Sequence, residues 1–174
     1  MLLGAVFLVG GAAALTRFTG KSSQDAEDGP PLTADQFALL EQVTEVIIPA
    51  TDTPGAIAAG VPEFIRGMLA EWGSKATRAE IVAVLEAIEK ATWTKYGAAF
   101  LELLPQRRLA VMTEFDAGRI AGQDPAYRKF KWLVLLGYYH SEIGATHELR
   151  FELVPGAWRA CLPLTEVGRA SATY

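Results

Sequence analysis

Helix-forming patterns follow one another along most of the chain, and they constrain the fold more than any other feature. In five stretches, apolar residues recur at the three- and four-residue spacing of a helix face. The first stretch runs from a Thr33 cap to Pro49, and the second starts at Pro62. Only residues 151–154 alternate as a strand would, and four residues are too few to found a sheet. The sequence therefore predicts an all-α fold, as a single compact but irregular helical domain.

Start signals predict the other three helices. Thr77 and Glu80 fit a capping box at the start of the third helix. Pro105 suits the first turn of the fourth helix, and Asp124 caps a fifth helix whose first residue is a proline.

The apolar pattern also predicts which residues point inward. Trp72 falls on the apolar face of the second helix, and Leu109 on that of the fourth. The run from Phe130 to Tyr139 is apolar nearly all round, which predicts a central, buried helix. Gly97 and Gly144 are the predicted ends of the third and fifth helices.

The first 31 residues differ from the rest of the chain. Residues 1–15 carry no charged or polar side chain, and as a helix they would span about 22 Å, less than a bilayer core of about 30 Å. That length fits the apolar region of a signal peptide, and an uncleaved, weakly anchored helix is the alternative. Residues 16–31 are polar and predict a flexible linker. The folded domain is expected at 32–174, with an irregular, extended tail from about residue 151.

Composition excludes several classes of protein. A chain of 174 residues with 51% apolar residues suits one domain and is too apolar to be disordered. The net charge of -4 argues against a nucleic-acid partner. One cysteine, Cys161, cannot form an internal disulfide or a cysteine zinc finger. The sequence also lacks the glycine-rich dinucleotide motif, the haem attachment motif and the serine nucleophile elbow.

The densest polar cluster lies between residues 140 and 148. On a continuous helix, His140 and His147 would lie about 10.5 Å apart along the axis, too far to share one ion. A break at Gly144 would let the two halves meet, so an independent metal-binding protein or enzyme using His140, Glu142, His147 and Glu148 stays open. The other interpretation is that these groups form hydrogen bonds at a helix end or face a partner.

Cys161 lies in a tail rich in proline and aromatic residues. One interpretation is a buried free thiol that packs as a small apolar side chain. The other is an interchain disulfide, which a single cysteine in an exported chain favours. Trp158 and Leu162 are expected to anchor the tail on another protein, since tryptophan is a common interface hot spot.

Three blocks of sequence form an ordered pattern along the chain. The first holds VIIPATDTPGA and AGVP, within residues 46–62. The second holds GYY, SEIGAT and ELR, within residues 137–150, and the third holds VPG at 154–156 followed by Cys161. Together they resemble the gluconate 2-dehydrogenase subunit 3 family, and the similarity runs from about Leu32 to about Pro163. These blocks consist mostly of turns, caps and aromatic residues, which describes a scaffold rather than a catalyst.

The resemblance implies a small, non-catalytic subunit that accompanies a large flavoprotein of the glucose–methanol–choline oxidoreductase class, often with a cytochrome c subunit. FAD is then expected in the large subunit, and no cofactor or catalytic residue in this chain. The family further implies a role in maturing and exporting the large subunit. A twin-arginine leader carries the folded, FAD-loaded partner across the inner membrane, and residues 1–15 correspond to its apolar region. The expected location is the periplasm or the periplasmic face of that membrane, with membrane contact only through the leader or the complex.

The resemblance also implies a contact surface for the large subunit. Because the periplasm is oxidising, Cys161 is expected to form a disulfide with the flavoprotein. The other residues expected at this interface are Tyr138, Tyr139, His140, Glu142, Arg150, Trp158 and Leu162.

Overall fold

A computed structural model describes residues 32–151, 156, 161, 163, 165 and 168–172, and the predicted leader and linker lie outside these ranges. The helical elements include a short 3-10 helix and a π-helix. Two strands of two residues each pair in parallel. The all-α prediction is confirmed, because helices supply the core. The elements are α1 (Ala34–Ile47), α2 (Val61–Glu71), α3 (Lys75–Tyr96), the 3-10 helix (Phe100–Glu102), α4 (Pro105–Ala121), α5 (Pro125–Tyr139), the π-helix (Gly144–Glu148), β1 (Arg150–Phe151) and β2 (Ser171–Ala172).

Several helix ends form as their local signals predict. The Thr33 hydroxyl accepts a hydrogen bond from the Gln36 N–H, and the Gln36 side chain accepts one from the Thr33 N–H, at 3.2 and 3.0 Å. The Asp124 carboxylate accepts from two backbone N–H groups in the first turn of α5, at 2.9 and 3.2 Å. Gly97 ends α3 in the left-handed region, at φ 65°.

The predicted start of α3 is wrong. Ser74 caps this helix, since its hydroxyl oxygen accepts from the Thr77 N–H at 3.1 Å. The helix accordingly begins at Lys75. Thr77 therefore supplies an N–H group to the cap instead of forming a capping box with Glu80, because a good cap residue stands one turn earlier in the chain.

The core forms where the helices meet around α5. This helix packs against α2 and α3, while α1 packs against α2 and α4, and α3 also packs against α4. Each large apolar side chain that is fully buried contributes roughly 1.5–3 kcal/mol, so this contact region is the main source of stability. Its largest fully buried side chains are Tyr127, Phe100, Phe130, Leu40, Ile65, Leu69, Ile81, Leu85 and Ile88.

The prediction that the fifth helix is buried all round is wrong. Phe130 and Val134 are fully buried, but Trp132 is 57% exposed and Leu135 is 41% exposed. The reason is that Phe130 and Val134 belong to the core that α5 shares with its neighbours, whereas the side chains of Trp132 and Leu135 are in contact with solvent.

Two further residues predicted to point inward are exposed. Trp72 is 79% exposed because α2 ends at Glu71 and Trp72 is its C-cap residue. Leu109 is 57% exposed, at the edge of an open groove of about 400 Å³ between α1 and α4. Among the described residues, no helix combines the length and the apolar character that crossing a bilayer requires.

Candidate interaction surface

The first two motif blocks come together in space. They form the α1–α2 loop, residues 48–60, and the α5 junction, residues 137–149, which contains the π-helix. The Tyr138 hydroxyl donates to the Pro54 carbonyl at 2.8 Å, across 84 positions of sequence. The Thr53 hydroxyl donates to a Glu148 carboxylate oxygen at 3.3 Å, across 95 positions. Loop and junction therefore form one packed unit at one end of the helical core.

Glu45, in the last part of α1, organises the α1–α2 loop. Its carboxylate accepts from the Ala50 N–H at 3.2 Å and from the Ile57 N–H at 2.9 Å. Gly55 passes so close to this carboxylate that a Cβ atom there would lie 2.3 Å from Oε1. Hydrogen bonds to charged groups contribute about 1.5–3 kcal/mol, so the glycine allows a strong local bracing of the loop.

Ser141 organises the α5 junction. Its hydroxyl donates to the Tyr138 carbonyl at 2.6 Å and accepts from the Gly144 N–H at 2.9 Å. The prediction that Gly144 ends the fifth helix is wrong, because α5 ends at Tyr139 and Gly144 begins the π-helix. The serine satisfies the backbone groups on both sides of the break, so a new helical turn starts at once.

Small residues let the chain pack closely at this junction. A Cβ atom on Gly137 would lie 2.7 Å from Cδ1 of Phe64, and one on Gly144 would lie 2.0 Å from the Tyr138 carbonyl oxygen. Gly137 thus permits the contact between α2 and α5, and Gly144 permits the return of the chain over the end of α5. Both glycines act through packing.

The residues predicted at a partner interface occupy different environments. Tyr138 is only 2% exposed and its hydroxyl is bound to the loop, so this side chain belongs to the core. Tyr139 is 37% exposed and packs edge-on against the Tyr138 ring. Trp158 and Leu162 lie outside the described residues. Those that are exposed and stay predictions are Tyr139, His140, Glu142 and Arg150.

The four polar residues of the metal hypothesis do not converge on one point. Over the ranges that the structure describes, no three His, Cys, Asp or Glu side chains lie close enough together to hold a metal ion. His140 is the C-cap residue of α5, whereas His147 lies in the π-helix and its carbonyl accepts from Arg169. Glu148 accepts from Thr53, and Glu142 is exposed. The contacts at His147 and Glu148 fit the alternative of hydrogen bonding at a helix end.

Cys161 is exposed and forms no disulfide within the chain. The interpretation of Cys161 as a buried apolar side chain is therefore wrong. Its disulfide with a flavoprotein stays a prediction, and the exposed position makes the thiol accessible to another protein.

The sequence pattern does not predict the polar cluster between α4 and α5. The Asp116 carboxylate accepts from the Tyr127 hydroxyl at 2.9 Å and from the Lys131 ammonium at 2.6 Å. Burial raises the pKa of Asp116, but the hydrogen bonds from Lys131 and Tyr127 outweigh it and hold the pKa below its usual value. Burial, with the help of Asp116, raises the pKa of Tyr127. The four-residue spacing of Tyr127 and Lys131 on one helix face was the available signal, and it did not reveal the partner on α4.

The sequence pattern also does not predict that one face of α5 is exposed. Arg128, Trp132, Leu135 and Tyr139 follow one another at four, three and four residues, which places them on one face of the helix. We call these four residues the α5 stripe. All four are exposed.

The α1–α2 loop and the α5 junction both lie within the range of a family match. A family model described as Gluconate 2-dehydrogenase subunit 3 matches residues 34–156. No curated protein and no solved structure matches the chain. The matched range contains α1 to α5 and both motif blocks that the structure brings together, and it covers well over half of the 174 residues. The chain therefore belongs to the gluconate 2-dehydrogenase subunit 3 family, whose members are accessory subunits of dehydrogenase complexes.

Proposed function

We propose that this chain is the non-catalytic small subunit of a periplasmic, FAD-dependent sugar or polyol dehydrogenase. Its partner is a flavoprotein large subunit of the glucose–methanol–choline class. The family match over residues 34–156 carries the proposal. The geometry of the motif residues supports it, because Tyr138, Ser141 and Gly144 contact other parts of this chain and shape its fold.

FAD belongs to the large subunit in this proposal. The chain has no glycine-rich dinucleotide motif, and its motif residues form hydrogen bonds within the fold. A flavin that has oxidised a sugar must pass its electrons to an acceptor, for which we propose a cytochrome c subunit.

Maturation and export of the large subunit complete the proposed role. Residues 1–15 are the apolar part of the proposed twin-arginine leader, and residues 16–31 separate them from the folded domain. Deleting residues 1–15 is expected to leave the thermal unfolding of the domain unchanged and to keep both subunits in the cytoplasm. Cell fractionation with an antibody to each subunit measures this. Arrival of both subunits in the periplasm without residues 1–15 would refute the export role.

Affinity purification of the full chain from its native host tests the binding role. A large flavoprotein is expected to co-purify in a fixed ratio, to show a flavin spectrum and to be identified by mass spectrometry. A monomeric chain that carries a stoichiometric metal ion and no flavoprotein would instead favour the metal hypothesis built on His140, Glu142, His147 and Glu148.

A further inference from the structure

The α5 stripe exposes large apolar side chains to solvent. Trp132, Leu135 and Tyr139 are 57%, 41% and 37% exposed, and Arg128 extends the stripe towards the start of the helix. From Arg128 to Tyr139 the stripe spans about 16 Å along the helix axis, at a rise of about 1.5 Å per residue. It is a continuous surface on a rigid element of the core.

The stability of the isolated domain does not explain these side chains. The opposite face of α5 already supplies Phe130 and Val134 to the core. Single exposed apolar residues are ordinary, whereas a contiguous exposed apolar patch is typical of an interaction site. Tryptophan, tyrosine and arginine are also the residue types most enriched among interface hot spots, and the stripe contains one of each.

The charge of α5 indicates which kind of surface complements the stripe. The helix contains three basic residues and no acidic residue. Lys129 pairs with Glu80, and Lys131 pairs with Asp116. Over the described residues, Arg128 forms no such ion pair, so its guanidinium is available at one end of the stripe. A complementary surface has an apolar groove for the three large side chains and a carboxylate beside Arg128.

We propose that the α5 stripe is the surface by which this chain binds its flavoprotein dehydrogenase subunit. The inference rests on the proposed function, because it takes the partner from there and locates the contact. Trp132 is the central anchor, and Arg128 sets the orientation through a carboxylate of the large subunit. The stripe ends at Tyr139, which packs against Tyr138 of the α5 junction, so the family's motif residues hold one end of the binding surface in place.

Binding measurements with the full chain and the flavoprotein subunit, separated from the co-purified complex and kept in reductant so that the expected Cys161 disulfide stays open, test this inference. Trp132→Ala is expected to weaken binding by about 30-fold or more, the size of a hot-spot loss. Arg128→Glu is expected to weaken it by about 10-fold or more, through repulsion of the facing carboxylate. Arg128→Glu places a negative charge near the start of α5, where it suits the helix dipole, so we expect the fold to be retained.

Matched controls separate contact from general surface effects. Trp93→Ala removes a tryptophan of similar exposure, 55%, from α3 and is expected to change binding less than about 2-fold. Lys90→Glu reverses an exposed charge on α3 and is likewise expected to change binding less than about 2-fold. If wild type binds the flavoprotein and both stripe variants bind within about 2-fold of it, the stripe is not the interface and the proposed function stands. If wild type binds no flavoprotein, the proposed function fails, and this inference fails with it.

Discussion

Replacing Gly144 by alanine tests the closest contact in the α5 junction. The new Cβ would lie 2.0 Å from the Tyr138 carbonyl oxygen and 2.7 Å from its carbon, so one of the two backbone segments must move by more than about 1 Å. That carbonyl also accepts from the Ser141 hydroxyl and the Ser141 N–H, at 2.6 and 3.0 Å. Overpacking costs about 1–3 kcal/mol, and each weakened hydrogen bond adds roughly 0.5–1.5 kcal/mol. We expect the free energy of unfolding to fall by about 3 kcal/mol.

Thermal unfolding followed by circular dichroism measures this change. At roughly 2–4 °C per kcal/mol for a domain of this size, Gly144→Ala should lower Tm by about 6–12 °C. Gly118→Ala is the matched control, since nothing lies within 4 Å of the added atom on α4. Gly118→Ala should raise the free energy of unfolding by about 0.5–1 kcal/mol, because the substitution restricts the unfolded chain and favours the helix. A Gly144→Ala protein that unfolds at or above the wild-type temperature would refute the close approach of Gly144 to α5.

Three further predictions concern the junction, the Asp116 cluster and Cys161. Tyr138→Phe leaves the Pro54 carbonyl without its hydroxyl donor and should lower the unfolding free energy by about 1 kcal/mol in urea titration, whereas an unchanged midpoint would contradict this bond. The pKa of Asp116 is lowered in the folded state, so the ionised carboxylate stabilises the fold above pH 3.8, its usual pKa. This contribution is lost as the pH falls through the folded-state pKa, so the stability advantage of wild type over Asp116→Asn should shrink between pH 7 and pH 3. An advantage that grows on acidification would refute a lowered pKa. Non-reducing electrophoresis of the complex, with thiol exchange blocked during lysis, should show one band of summed mass that Cys161→Ser abolishes, and two separate bands for wild type would exclude the disulfide.

Local interactions explain which parts of the fold were predictable. The Thr33 and Asp124 caps join residues two or three positions apart, so the sequence contains the whole interaction. The error at Thr77 is equally local, since two hydroxyl residues compete for the cap and Ser74 stands earlier. Helix existence and type therefore follow from spacing, while the first residue depends on competing caps.

Tertiary packing explains the errors about burial on α5. Trp132 and Leu135 satisfy the pattern of a buried helix, but burial depends on which neighbours cover each face of α5. Likewise, the bond from Tyr138 to Pro54 joins residues 84 positions apart, so the sequence around Tyr138 does not reveal which group its hydroxyl binds. The family resemblance marked the correct blocks, and only the structure shows that they contact each other.

A dye-reduction assay tests the central claim that this chain is an accessory subunit. The purified full chain is assayed with sugar substrates and an artificial electron acceptor, first alone and then with the flavoprotein subunit. We expect no flavin absorbance and no dye reduction by the chain alone, and activity only when the flavoprotein is present. Sugar-dependent dye reduction by this chain, free of any flavoprotein, would show that the chain is itself a dehydrogenase.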